Sequence, residues 1–312
     1  MNSISLPNPS TLTRLKLFLA LSRTPHGLLD LATPALGALL WLGTLPPPHV
    51  TALGLLTAFA GYTAVYALND LVDLRVDRKT VRQSGTDDRE GDLDAVFVRH
   101  PMAQGLMSFK EGMCWSLFWA ILALVGAYLL NPICALIFII GCALEAIYCL
   151  LLDVSHFRTL VSGVVKTSGG IAAAFAVDPN PSLLFLTTLF LWLFFWEIGG
   201  QNVPNDWHDL EEDKWSQAKT IPVRYGPRGA SVIILGSLVL SVGLSALLFS
   251  LAPLRPPLPF SVAAVGAGLY LLLIPAFRLY RTKSRLHASG LFNKASYYPI
   301  TLLLIVLFSL LA

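Results

Sequence analysis

Phe190-Leu191-Trp192-Leu193-Phe194-Phe195-Trp196 is an unbroken apolar and aromatic run, and nine residues after its end the chain reads Asn205-Asp206-Trp207-His208-Asp209-Leu210-Glu211-Glu212-Asp213. The run does not alternate, so it is no half-buried strand. It belongs to an apolar stretch of roughly 182–205, long enough for a helix to cross the hydrocarbon of a bilayer. The acids then stand where such a helix would emerge. An apolar rod that ends in a dense set of oxygens sets the pattern for the rest of the chain.

Nine such stretches follow one another, at roughly 20–45, 50–70, 112–130, 132–152, 159–178, 182–205, 229–252, 258–278 and 291–312. Turn signals separate them, among them Pro46-Pro47-Pro48, Asn131-Pro132 and Asp178-Pro179-Asn180-Pro181. With no water to satisfy exposed backbone groups, long apolar runs in lipid are helices. The composition agrees: 55% of the 312 residues are hydrophobic and 13% charged, against about 25% charged in an ordinary soluble domain. The mean hydropathy is +0.65. Disorder, a coiled coil and a soluble globule are excluded. A net charge of +3 is too small to argue for nucleic acid. The expected fold is all-α, a polytopic bundle of nine transmembrane helices around a central cavity, forming one domain over 1–312, with motif loops or caps at 71–110 and 206–228.

The few charges are sorted. Twenty of the 22 Lys and Arg residues fall on one expected side; the exceptions are Arg255 and Lys166, the latter inside the fifth span. The positive-inside rule then places the N-terminus and the long loops in the cytoplasm and the C-terminus outside, in the cell membrane. The first 13 residues hold no charge and no basic segment leads into a cleavage site, so no removable signal is expected. Cys114, Cys134, Cys142 and Cys149 all lie in expected spans without CxxC spacing or His partners, and read as small apolar filler.

The acids repeat. Asn69-Asp70-Leu71-Val72-Asp73-Leu74-Arg75-Val76-Asp77 ends the second span as Asn205 to Asp213 ends the sixth; both read NDxxDLxxD, 136 positions apart. On a helix Asn69, Asp73 and Asp77 share an arc of about 80° with Asp70 beside them, and Asn202, Asp206, Asp209 and Asp213 share about 60°. Like charges one turn apart repel, so a counter-charge is expected. Hard divalent cations suit carboxylate, amide and water oxygens, and Mg²⁺ binds through one or two carboxylates plus substrate phosphates. The expected metal ligands are Asn69, Asp70, Asp73, Asp77, Asp206, Asp209 and Asp213, for a pair of Mg²⁺ ions. The basic residues that follow each stripe, Arg75, Arg78, Lys79 and Arg82 after the first and Lys214, Lys219 and Arg224 after the second, suit a diphosphate. The alternative for these cations is the positive-inside rule itself.

At these residues the chain resembles the UbiA superfamily of intramembrane prenyltransferases. Asn69, Asp70, Asp73 and Asp77 match the first Asp-rich motif of that family. Asn205, Asp209, Asp213, Lys219-Thr220 and the Ile221 to Gly226 tail match the second, and Arg23 and Pro25 are similar to its helix 1 start. One departure is His100-Pro101-Met102-Ala103-Gln104-Gly105, with His100 where Arg is usual and Arg99 next to it. Another is the polar insertion Ser84 to Asp94, readable as a lid or as a tether.

The resemblance implies Mg²⁺-dependent transfer of a prenyl group from an allylic polyprenyl diphosphate to an acceptor, with loss of diphosphate. Asp73, Asp209 and Lys166 are then the expected catalytic residues. Arg23, Asn69, Arg75, Arg78, Lys79, Lys219 and Tyr148 are the expected diphosphate contacts. Tyr62, Tyr66, Tyr148 and the Phe190–Trp196 aromatics are candidates for shielding an allylic cation. Asp30, Glu145, Lys166 and Glu197 are ionisable residues inside spans and functional candidates by that fact; which of them acts as base is open. An aromatic, quinone-precursor-like acceptor is expected first and a glycerol-phosphate lipid second. A transporter would carry its polar residues at mid-membrane in broken helices rather than at span ends. A non-catalytic metal- or lipid-binding protein has no need of two intact acid sets.

Overall fold

The computed structural model describes residues 11–84, 97–254 and 257–311. Its order is α1 Thr11–Leu21, α2 Thr24–Asp30, α3 Ala32–Leu42, α4 Pro48–Ser84, α5 Phe109–Leu130, α6 Pro132–Leu150, α7 Arg158–Val177 and α8 Leu183–Trp196. A π-helical turn, Glu197–Asn202, leads to α9 Val203–His208 and α10 Leu210–Ser216. Then come α11 Ile221–Leu251, α12 Leu258–Gly268, a second π turn Leu269–Leu273, α13 Ile274–Thr282, α14 Arg285–Ser296 and α15 Tyr298–Leu311. Among the described residues there is no strand.

Among the described residues, eight helical stretches are long and apolar enough to cross a membrane, from Pro48–Lys79 to Arg285–Leu311. They coincide with the second to ninth expected spans. The first expected span is not one rod: α1, α2 and α3 are short pieces divided at Arg23 and Leu31. Pro25 explains the first break, because it lacks a donor and its ring crowds the preceding turn. Arg23 takes the left-handed conformation there (φ 43°). The insertion Ser84 to Asp94 falls, apart from the last residue of α4, outside the described residues, as do Arg255 and the first ten residues.

The molecule is apolar outside as well as inside. Leu55, Leu117, Phe118, Ile121, Leu136, Ile139, Val239, Leu240, Leu304 and Phe308 are exposed along the flanks. In water such a surface is a liability; in lipid it is the required finish. The densest packing lies where α8 and α9 meet α11 and the C-terminal helices. Trp192, Trp196, Trp207, Leu238 and Tyr298 are fully or almost fully buried there. This half forms one closely packed wall. The cavity lies on its other side, toward α3, α4, α6 and α7.

Two local features bring the site into register. Leu71 and Leu74 pack with Ala67, Leu21, Met102 and Met107, so the first acid stretch stays helical to the end of α4 instead of opening into a loop. The sixth span does the reverse. It widens into the π turn at Glu197–Asn202, and its α-helix breaks again at Asp209. Trp196 Nε1 donates to the Ala295 carbonyl (3.0 Å) and Gln201 Nε2 to Ser296 Oγ (3.2 Å), pinning the turn to α14. Gly199 is required at that turn: a Cβ would meet the Ile234 carbonyl of α11 at 2.9 Å.

Candidate active site

The acid ends of α4 and of α8–α10 meet at one mouth of a cavity of about 520 Å³. The polar rim is lined by Arg23, Asn69, Glu145, Tyr148, Asn202 and Asn205. Beyond it the walls are apolar, with Leu39, Val50, Ala58, Ala127, Ile137, Phe138 and Ala173 running away from the mouth.

On the first stripe, Arg23 Nη2 donates to Asn69 Oδ1 (3.2 Å) and Asp70 Oδ1 (3.4 Å). The broken first span is what brings it there. Asn69 Nδ2 donates to Glu145 Oε1 (2.7 Å) and Cys149 Sγ (3.3 Å), so this amide is locked from behind by α6. Asp73 also lies against Cys149. His100 reaches in from the loop before α5: its Nδ1 is 2.9 Å from Asp77 Oδ2 and 3.5 Å from Asp70 Oδ1. Burial works against a charge on that ring, but Asp77 and Asp70 outweigh it and push the imidazole up to about 9. The backbone of His100 is left-handed (φ 49°).

On the second stripe the central cation is Arg158, first residue of α7. Its Nη1 is 3.5 Å from Asp206 Oδ1, and its guanidinium lies 4.0 Å from the centre of the Tyr148 ring. Tyr148 in turn accepts from Asn202 Nδ2 (3.0 Å). Arg99 bridges to Asp209 (3.0 Å) and Glu212 (3.6 Å). Thr220 Oγ1, fully buried, donates to Asp213 Oδ2 (2.9 Å). Burial, then repulsion from Asp206 and Asp209, push the Asp213 carboxyl up to about 8.

The donor set fits a hard divalent cation. Asp70 and Asp77 bring carboxylate oxygens to within 4.8 Å of one another, with His100 beside them as a counter-charge. Asp206 Oδ2 is buried without a hydrogen-bond partner, which leaves a carboxylate oxygen open to an ion.

Of the residues expected from sequence, Asn69, Asp70, Asp73, Asp77, Asp206, Asp209 and Asp213 gather at this end. Arg23 and Tyr148 line the cavity. Lys166 lines it too, but deeper, and it is held: Nζ is 2.7 Å from Asp30 Oδ2 and 3.3 Å from Tyr66 Oη, and Tyr66 Oη donates to Asp30 Oδ2. Arg75, Arg78, Lys79 and Lys219 have exposed side chains. In their place the fold supplies Arg158, which sequence reasoning counted only as a loop cation, and Arg99 and His100. Arg158 left one usable signal: it is the lone cation in the short turn between the fourth and fifth spans. Glu212, next to the stripe, also pairs with Arg99.

The model of the UbiA prenyltransferase family matches residues 31–298. A sequence comparison with curated proteins finds no match. Several solved structures resemble the fold. A UbiA homologue from Aeropyrum pernix K1 has a TM-score of 0.74 and 19% identity, over 91% of this chain and 97% of that one. A digeranylgeranylglyceryl phosphate synthase has 0.68 and 18%, over 96% and 100%. A UbiA homologue from Archaeoglobus fulgidus bound to DMAPP and Mg²⁺ has 0.65 and 18%, over 93% and 98%.

Proposed function

The chain belongs to the UbiA prenyltransferase family, an integral membrane enzyme, and from that premise we propose that it moves a prenyl group from an allylic polyprenyl diphosphate to a hydroxylated aromatic acceptor, releasing diphosphate. The observation that carries this reading is the meeting of two acid stripes and three buried or half-buried cations at the mouth of an apolar cavity. One end of the site is built for phosphate and metal, the other for hydrocarbon.

Mg²⁺ is the fitting cofactor, as in the Archaeoglobus fulgidus homologue with DMAPP and Mg²⁺. Asp70, Asp73 and Asp77 would hold one ion and Asp206, Asp209 and Asp213 a second, and bound metal neutralises the charge that grows on leaving diphosphate. Arg158, Arg23 and Arg99 add guanidinium donors to the diphosphate oxygens. Arg158 is fixed against Tyr148, so it is aimed before substrate arrives and loses little order on binding. The apolar walls keep water from the allylic cation, and the faces of Tyr62, Tyr66 and Tyr148 are placed to stabilise it. The tail lies along the α4–α7 wall. Lys166 keeps Asp30 and Tyr66 in place rather than attacking anything. By the charge bias of the loops, the mouth faces the cytoplasm.

A second reading has a glycerol-phosphate lipid as acceptor. It is favoured by the resemblance to a digeranylgeranylglyceryl phosphate synthase. The aromatic reading rests on the inner wall, where His26, Tyr66 and Phe292 rings lie within 6 Å of one another pairwise through His26 (5.9 and 5.5 Å).

Purified protein with labelled prenyl diphosphate and both acceptor classes tests the proposal. Asp73→Ala with Asp209→Ala is expected to cut diphosphate release by about a thousandfold, the scale of losing preorganised charge stabilisation. Normal release from that double variant sinks the site, and full activity in excess chelator sinks the metal.

A further inference from the structure

The polar groups of the inner cavity wall are not all spent on holding the bundle together. Glu197 opens the π turn of the sixth span, lines the cavity and is buried. Ser162 Oγ donates to its Oε1 (2.7 Å), which fixes the carboxyl plane. Its other oxygen, Oε2, is shut off from solvent and has no hydrogen-bond partner. One turn nearer the mouth, Asn202 repeats the pattern: its Nδ2 is committed to Tyr148, and its Oδ1 is buried and without a partner. Both unmet atoms are hydrogen-bond acceptors. The nearby Lys166 directs its hydrogen bonds to Asp30 and Tyr66 and makes none to Glu197 Oε2. Glu197 is near enough to Asp206 to repel it, so this wall adjoins the metal end.

A buried acceptor without a partner calls for an explanation, and in a cavity wall a donor group on a bound ligand supplies one. Resting on the prenyl-transfer reading above, we propose that Glu197 Oε2, with Asn202 Oδ1 one turn along the same wall, is the seat of the acceptor's hydroxyl group and that Glu197 takes its proton during transfer. The C1–O bond of the prenyl diphosphate breaks and its electron pair leaves with diphosphate. The acceptor forms the new bond to C1, through the ring carbon next to a phenolic hydroxyl or through an alcohol oxygen. The hydroxyl proton passes to Glu197 Oε2 and from there to water. In the phenol case the ring proton then shifts to oxygen as the ring regains aromaticity. The same chemistry serves a phenol or the alcohol of a glyceryl lipid. In either case the group at this seat donates a hydrogen bond; a carboxylate or phosphate placed here would face acceptor oxygens.

The test uses full-length protein in nanodiscs with Mg²⁺. It compares wild type with Glu197→Gln, which keeps the size and the bond to Ser162 and loses only the base. The donor is a labelled prenyl diphosphate. The acceptors are a graded series of substituted phenols, from weakly to strongly acidic, and a monoalkylglycerol. Glu197→Gln is expected to lower the transfer rate by at least about a hundredfold with the least acidic phenol, within the usual range for a general base. The loss should shrink steadily as the phenol becomes more acidic. Binding of the unreactive prenyl thiodiphosphate should change less than threefold, which shows that the variant is folded and its donor site intact. Whichever acceptor class is consumed by wild type identifies the source of the hydroxyl. An unchanged transfer rate, or a loss equal across the series, overturns the assignment of Glu197. Wild-type protein that neither binds the thiodiphosphate nor releases diphosphate overturns the prenyl-transfer reading instead.

Discussion

The two NDxxDLxxD stretches carry the same letters on different backbones. The first sits on α4, a helix unbroken from Pro48 to Ser84, and its stripe keeps regular α spacing. The second is cut twice, by the π turn at Glu197–Asn202 and by the break at Asp209. Their counter-charges differ as well. Arg23 and His100, both in left-handed backbone, approach the first from flanking segments. Arg158, buried at a helix start, lies under the second. A straight helix presents its ligands on one narrow face. The broken one turns Asp206 toward Arg158, Asp209 toward Arg99 and Asp213 toward Thr220. One stripe therefore acts as a fixed rail and the other as a cradle. π turns commonly mark places where function has displaced regular structure.

Three measurements would break or sharpen that contrast. The largest effect is expected at Arg158. Arg158→Leu leaves Asp206 buried without its cation, a change that costs about 3–5 kcal/mol. It should appear as a marked fall in the melting temperature of the metal-free protein, with transfer down about a hundredfold. Arg23→Leu on the first stripe should cost visibly less, since Arg23 is partly exposed and His100 still serves Asp70. Equal losses at the two positions would erase the distinction between rail and cradle.

Next comes the π turn. Gly199→Ala forces a methyl group to 2.9 Å from the Ile234 carbonyl, and rigid backbone there cannot yield cheaply. A loss of about 1–3 kcal/mol is expected, again read by thermal unfolding, together with weaker metal binding at the second stripe. The corresponding helix on the first side offers a control: Gly61→Ala in α4 meets nothing closer than Phe138 at 3.6 Å and should be nearly silent.

The smallest effect is expected for the exposed cations. Arg75→Ala with Lys79→Ala should change kcat/KM by less than about threefold, as surface charges typically contribute little. A loss beyond tenfold would show that these side chains reach the diphosphate and that the rail has basic partners of its own.

Much of this was legible beforehand, and the reason is physical in each case. Lipid demands about 20 apolar residues per crossing, so the second to ninth spans could be read from hydropathy alone. The paired Asn-Asp stretches stood out because acids are scarce elsewhere. The first span was misjudged as a single rod because Pro25 is tolerated in one helix of lipid-facing protein and breaks another, depending on what receives the freed backbone groups. The π turn left no mark, since Gly199-Gly200 reads equally well as a small-residue packing stripe.

The choice of cations was beyond reach for a sharper reason. The positive-inside rule asks for Lys and Arg at every loop on one side, so the sequence alone offers some twenty candidates and no means to rank them. By itself it determined the medium, the helices and the two acid stripes, because all of these depend on local composition. Only the packing of α3, α4, α6 and α7 against the α8–α11 wall decided that Arg158, Arg23, Arg99 and His100 meet those acids while Arg75 and Lys79 do not. That choice depends on which helix ends converge, a matter of contacts between residues far apart in the chain.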